Sequence, residues 1–497
     1  MEYRCKQYEQ SESSFKYLES KVESIELKTQ IICRKINLLS QNDMDFESIV
    51  LSRVELNKMK VKIPEKIGIP YILYHHLILS QKLNRFKVEN IPSLQAMTDK
   101  TVVAISDIIG HSTAPAYFVD KNLLYLFVNK LIRYTLDHGI GPNTPYALAT
   151  YGLILCGSFD NHKLGHEFGK LSLGLIQNDG RHKDSAKILM IFGAMINHWV
   201  NHADTCIQYL EDAYEKGLVL GDYIFSSYSL NGISYLLFSK GDHLSDVRDK
   251  CRKYVSMVDR IQYGASSNAI LLISKMCDQL IEKVTFEYKD EEFNEDEDLQ
   301  KFLEGDDVVP YHWYFISKLQ LYYLFEKFDE ANKMAIEARK LVENSLGFIQ
   351  VVDQYFYDSL NLCALYSTLN PIQKMKCKAR IIKNLWKLKK WASSCPSNHD
   401  HKYSLVKAEF NRIRNRSKKN TVWLYDAGIS SAKENGYQQN LALAYELKAK
   451  YFFKGNMKES GVDYMQKAIE AYKTWGANEK VDHLEMKLSR ELNDDLA

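Results

Sequence analysis

Residues 444–477 read "AYELKAKYFFKGNMKESGVDYMQKAIEAYKTWGA". Small residues stand at Ala449, Gly461 and Ala468, twelve and then seven positions apart. Leu447, Tyr451 and Phe452 fall on one helical face, "KGN" at 454–456 makes a turn, and Tyr464, Met465, Ile469 and Tyr472 recur at helical spacing. Two antiparallel helices, packed so tightly that only small side chains fit where they cross, account for this pattern.

The pattern recurs upstream. Ala408 precedes Ala449 by 41 residues, and Ala427 precedes Ala468 by 41. Segment 319–341 repeats the twelve-and-seven spacing with Leu319, Ala331 and Ala338, and segment 151–175 does so with Leu153, Gly165 and Ser172. Further helix pairs are predicted at 27–59, at 186–216, and in "FSSYSLNGISYLLFSKGD" followed by "LSDVRDKCRKYVSMV". This is the helix–turn–helix spacing of tetratricopeptide repeats, in units longer than the usual ~34 residues. The expected fold is all-α: a tetratricopeptide-like right-handed superhelix of antiparallel helix pairs. One pair cannot bury its apolar face alone, so the units must stack. The first, inner helices of the pairs are expected to line a groove in which a partner helix or domain buries its apolar face.

Two arrays are expected, residues 1–285 and 308–497. Between them 286–307 is strongly acidic, with lysines only at Lys289 and Lys301, and reads as a solvated linker. "PEKIGIP" (64–70) and "SSCPSNHD" (393–400) are predicted loops.

Composition narrows the function classes. Lys+Arg 65 against Asp+Glu 63 leaves a net charge of +2, which gives no reason to expect a nucleic acid or an anionic membrane as partner. Nine prolines and 23 glycines in 497 residues suit long helices rather than a β protein. Nine scattered cysteines without a C-x-x-C read as reduced thiols inside helices. "MEYRCKQYEQSESS" has no apolar signal core, and apolar runs such as "ILLIS" (270–274) are far short of the ~20 residues that cross a bilayer. A soluble, cytoplasmic chain is expected.

No catalytic motif emerges, and no catalytic residue, cofactor or metal is expected. "GHEFGKL" (165–171) has three residues between its glycines and Leu171 after the lysine, where a phosphate loop needs four and a hydroxyl. His162 and His166 share a helical face, but Glu167 is placed wrongly for a zinc hydrolase. "HDH" (399–401) is assigned to a loop, where a metal is disfavoured, and His198 and His202 flank Trp199 as packing residues. His75 and His76 are adjacent and point apart. The basic stretch "KMKCKARIIKNLWKLKKWA" (374–392) contains no acid. Its buried stripe is predicted to be Met375, Ile382, Leu385 and Trp386. Lys374, Lys378, Lys387 and Lys390 are its candidate partner-binding residues, on a solvated helix face or against an acidic partner.

Several phrases carry a resemblance. "TAPAYFVDKNLLYLFVNKLIRYTLDHG", "YALATYGLILCG", "MINHW", "VVDQYFYDSLNLCALY", "CPSNHDHKYSLVKAEFNRI", "LYDAGISSAKENGYQQNLALAYELKAKYF" and "YKTWGANEKVDHLE" stand in that order. Over roughly 20–490 they resemble the central helical region of multi-sensor signalling kinases. Those proteins join a serine/threonine-kinase-like domain, a predicted ATPase module, this helical region, a GAF sensor and a histidine kinase. No "HRD", "DFG" or intact phosphate loop is present, so no catalytic residue of that family can be assigned here. The resemblance implies a regulatory role, with an ATPase, GAF or kinase domain, or a second copy of the chain, as partner. The rival readings are a stand-alone peptide-sensing or transcription-coupled regulator, and an enzyme whose site would be a convergent polar cluster in a deep pocket.

Overall fold

The computed structural model describes every residue except 1–7, 41, 43, 178–181, 261–263, 287–293, 296, 298, 301–307 and 494–497. The predicted linker 286–307 therefore lies largely outside the described residues. The protein is all-α, 83% helical, with no strand among the described residues. It divides into two compact units, residues 1–155 with 164–188, and residues 156–163 with 189–497.

In the first unit, the helices Tyr8–Lys21, Ile25–Ser40, Asp45–Lys58, Ile69–Phe86, Lys100–Val119 and Lys121–His138 lead into the pair Thr144–Gly157 and His162–Gln177. Asp99 starts the Lys100–Val119 helix by accepting from the Thr101 and Val102 amides at 2.8 and 3.2 Å. That helix corrects one expectation: at 20 residues it is long and apolar enough to cross a membrane. More than half of its apolar window is buried, and it packs on Ile25–Ser40, Asp45–Lys58 and Lys121–His138, as a core helix does. In the following pair, Tyr151 meets Phe168 edge to face at 4.9 Å, and the Ser172 hydroxyl donates to the Pro145 carbonyl at 2.5 Å.

In the second unit, the turns Phe192–Ile196 and Asn197–Trp199 precede the helices Asp204–Leu220, Tyr223–Lys240, Leu244–Arg260 and Gly264–Ile281. Four pairs follow: Val308–Leu324 with Phe328–Leu341, Gln350–Leu365 with Pro371–Ser394, Pro396–Ile413 with Lys418–Glu434, and Gln438–Lys454 with Lys458–Trp475; Asn478–Asn493 closes the series. The predicted boundary at 286–307 does not separate compact units. Gly264–Ile281, before that tract, packs on Val308–Leu324 and Asn478–Asn493, after it.

The small positions are buried, with one exception. Ala331, Ala338, Ala408, Ala449 and Ala468 are fully buried, and a Cβ on Gly461 would lie 2.6 Å from the Phe453 ring. Ala427 is the exception. It is half-buried, and its neighbour Gly428 takes the contact, where a Cβ would lie 2.8 Å from Leu405. The reason is a turn one residue longer, 414–417 against 455–457 in the next pair. First helices thus repeat at 41 residues (Ala408 to Ala449) and second helices at 40 (Gly428 to Ala468). Gly436 and Gly476, also 40 apart, end their second helices at φ +73° and +88°, a left-handed conformation that suits glycine.

"SSCPSNHD" is not a loop. Only Cys395 separates Pro371–Ser394 from Pro396–Ile413, because Pro396 sits in the first turn, where its missing N–H costs nothing. The eight described cysteines are free and buried.

Candidate interaction surface

First and second helices differ in how they are covered. In Gln350–Leu365, 13 of 16 residues are buried; in Pro371–Ser394, 6 of 24. A helix buried on all sides is a core helix. What covers the first helices is the chain itself. The Ser239 hydroxyl and the Lys402 ammonium both donate to Asp353, at 2.6 and 2.5 Å. Gln439 donates to the Phe238 and Ser239 carbonyls. His198 Nε2 and Trp199 Nε1 donate to the Gly347 carbonyl at 2.8 and 3.0 Å, and His202 Nε2 donates to the Asn435 carbonyl at 3.1 Å. Asn398 is fully used: it donates to the His198 and Asn201 carbonyls and accepts from the Ala203 amide and the Tyr437 hydroxyl. Along the first helices, the expected partner groove is therefore met by residues 198–203 and 238–239 of the same chain.

The histidines flagged in the sequence belong to this packing. His162 stacks on Trp199 with the ring planes 8° apart, and Trp199 also meets His198, His399 and Trp391. His399 and His401 lie on a helix, both fully buried. Burial pushes the His162 imidazole down to about 4 and that of His198 to about 3, so both rings are neutral. In the first unit, His76 pairs with the Tyr125 hydroxyl at 2.7 Å, while His75 lies against Arg133. Among the described residues no three His, Cys, Asp or Glu side chains are grouped to hold a metal. "GHEFGKL" lies within the helix His162–Gln177, where backbone N–H groups are largely committed to helical hydrogen bonds.

A cleft of about 460 Å³, lined in part by Glu326, Glu409, Arg412, Lys450, Lys454 and Lys487, is the polar cluster an enzyme would need. Two of its carboxylates, Glu326 and Glu409, are committed to ion pairs. Arg412 holds Glu409 at 2.6 Å, and Lys450 joins Glu326 at 2.8 Å to the buried Glu446 at 2.6 Å. Lys480 and the Tyr472 hydroxyl complete Glu446 at 2.9 and 2.8 Å. Burial pushes the Glu446 carboxyl up, but Lys450 and Lys480 outweigh it and bring it down to about 2; burial pushes the Lys480 ammonium down to about 8. This network ties Gln438–Lys454 to Asn478–Asn493 and to the turn at Glu326 through ion pairs, and to Lys458–Trp475 through the Tyr472 hydroxyl.

The basic helix is the exposed element. Asn370 and Gln373 form a reciprocal cap at 2.9 and 3.0 Å ahead of Pro371, and the helix then runs 24 residues. Its buried stripe is Cys377, Ile381, Asn384, Leu388 and Trp391, not the predicted one. Met375, Ile382 and Trp386 are 66%, 54% and 60% exposed, and Leu385 is half-buried. The helix is held in this rotation because Asn384 donates to Asp358 and Ser359 at 3.1 and 3.0 Å, and Trp391 packs on Tyr355. All four candidate lysines have partners within the unit. Lys387 and Lys390 pair with Asp160 at 2.7 and 3.5 Å, and Lys374 and Lys378 lie over the Tyr366 ring at 5.6 and 5.4 Å. The sequence reading missed the exposed apolar residues between them, although their spacing was visible.

Residues 291–494 match the family described as "CHK1-like, TPR repeats". A stretch of 149 residues, 30% of this chain, is 22% identical to the Hybrid signal transduction histidine kinase G of Dictyostelium discoideum, and the match spans 4% of that protein's length. Among solved structures, a circular tandem repeat protein with novel repeat topology and enhanced subunit contact surfaces aligns over 95% of both chains, at 10% identity and a TM-score of 0.15. The chain is thus similar, over its C-terminal part, to tetratricopeptide repeat regions, and over a shorter stretch to a kinase-related protein.

Proposed function

We propose that this chain is a non-catalytic helical-repeat interaction module of cytoplasmic signal transduction. Its partner would be an ATPase, GAF or kinase domain, or a second copy of itself. The observation that carries the reading is the asymmetry of the pairs: first helices sealed by the chain's own residues, second helices buried on one stripe only. A scaffold arranged this way offers its second helices, not an inner groove, to other proteins. The similarity to a hybrid histidine kinase supports a signalling setting. The test is direct binding between the purified chain and separately purified ATPase, GAF and kinase domains from the same genome, with sedimentation to read self-association. Saturable binding to one of these domains, or a defined oligomer, is expected. A chain that stays monomeric and binds none of them would overturn the reading.

A further inference from the structure

Along the outer side of Pro371–Ser394, Ile372, Met375, Ala379, Ile382 and Trp386 are separated by three, four, three and four residues. All five are exposed, Ile372 by 65%. This is the a/d register of a heptad repeat, two heptads and the first position of a third. The opposite c and f positions are Cys377, Ile381, Asn384, Leu388 and Trp391, which are the residues buried in the unit. One helix therefore carries two stripes, one packed and one without a cover among the described residues.

What would cover it is specified by spacing and charge. A strict a/d stripe is narrow and suits a single partner helix, whereas a helix lying on a bilayer needs a broader apolar face. The e positions are Lys376, Lys383 and Lys390, and the g position between the first two is Lys378. Lys376 and Lys383 have no acidic partner among the described residues, and the helix contains no acid. Seam-flanking charges select partners by sign. A second copy of this helix would set lysine against lysine. We propose that the outer face of Pro371–Ser394 is a two-heptad coiled-coil seam that docks an amphipathic helix of another protein, one bearing apolar a/d residues flanked by glutamate or aspartate. This rests on the interaction-module reading and names its contact.

The test uses the full chain and two fluorescent synthetic helices of about 21 residues, three heptads with Leu at a and d, one with Glu and one with Lys at e and g. Anisotropy should show saturable binding of the Glu helix, weakened by added salt, and none of the Lys helix. Met375→Ser with Ile382→Ser should weaken binding about tenfold or more, since these side chains form the centre of the seam. Lys376→Glu with Lys383→Glu should reverse the preference between the two helices. The substituted residues are exposed, so circular dichroism and the melting temperature should be unchanged. Equal binding of both helices, no binding of the Glu helix at about 100 μM, or indifference to both double substitutions would overturn the proposal. So would sedimentation with phosphatidylserine vesicles that is lost in the same variants, together with no helix binding. A signalling domain bound equally well by both double variants would overturn the seam and leave the module reading standing.

Discussion

Gly428 displaces Ala427 from the helix crossing, and one residue of turn length is the cause. Spacing fixes which residues are small; it does not say which of two adjacent small residues faces inward when a turn lengthens by one. The crossing is testable at both positions. Gly428→Leu should overpack against Leu405 and cost about 1–3 kcal/mol, as should Ala449→Leu and Ala468→Leu, while Ala427→Leu should cost clearly less. Urea unfolding of the four variants reads this order, and equal costs at 427 and 428 would show the register to be wrong. The buried histidines make a second prediction. His162, His198 and His399 are neutral in the fold because burial lowers their affinity for protons, while unfolded imidazoles protonate near 6.5. Below pH 6.5 the unfolded chain then binds more protons than the folded one. Their stability contribution is full above that pH and is progressively lost as pH falls below it. His399 has no hydrogen-bond partner on either ring nitrogen. His399→Phe should therefore flatten the acid limb between pH 6.5 and 4.5, by up to about 1.4 kcal/mol per pH unit. Stability curves of variant and parent that stay parallel with pH would refute this.

Whole helices were easier to read than their rotation. Existence and pairing of the helices at 144–177, 308–341 and 396–475 follow from period and small-residue spacing, but the rotation of Pro371–Ser394 does not. That helix offers two apolar stripes, and the choice between them depends on Asp358 and Tyr355, which lie on the preceding helix. Buried charges were equally illegible, since a lysine in a helix ordinarily reads as solvated. Lys402 and Asp353 show the difference: both are almost fully buried, and each serves as the other's counter-charge. Removing one partner strands the other, so Lys402→Met or Asp353→Ala should each cost about 3–5 kcal/mol, whereas the double variant Lys402→Met with Asp353→Leu should cost less than the sum. Strict additivity in chemical denaturation would show that the two charges are not coupled. The stretches that carry the kinase-region resemblance, "MINHW", "CPSNHDHKYSLVKAEF" and "GYQQNLALAYELKAK", contain Trp199, Asn398, Lys402, Gln439 and Glu446. Those wordings mark the polar clamp inside the second unit. They were legible as a resemblance, and their physical role was not, because hydrogen bonds across some 200 residues leave no period in the sequence.

In the second unit, the face that a repeat scaffold ordinarily leaves for a ligand is occupied by residues of the same chain. This arrangement separates two pictures of how the molecule works. With an open groove, the first helices would exchange their amide hydrogens about as readily as the second helices. With the groove filled, opening the first helices requires breaking Asn398's four hydrogen bonds, the Asp353–Lys402 pair and the Trp199 packing together, so their opening approaches the global unfolding free energy. Amide hydrogen exchange under native conditions should therefore find Gln350–Leu365 and Gln438–Lys454 markedly more protected than Pro371–Ser394 and Lys418–Glu434, whose outer sides are exposed. Asn398→Ala should reduce that protection in Asp204–Leu220 and Pro396–Ile413 together, because its amide joins the 198–203 turn to Tyr437. Protection equal in first and second helices, or loosening confined to Pro396–Ile413 in the variant, would mean that residues 198–203 and 238–239 do not close the face in solution. The groove would then return as the binding surface, and the outer second helices would no longer be the place where a partner must dock.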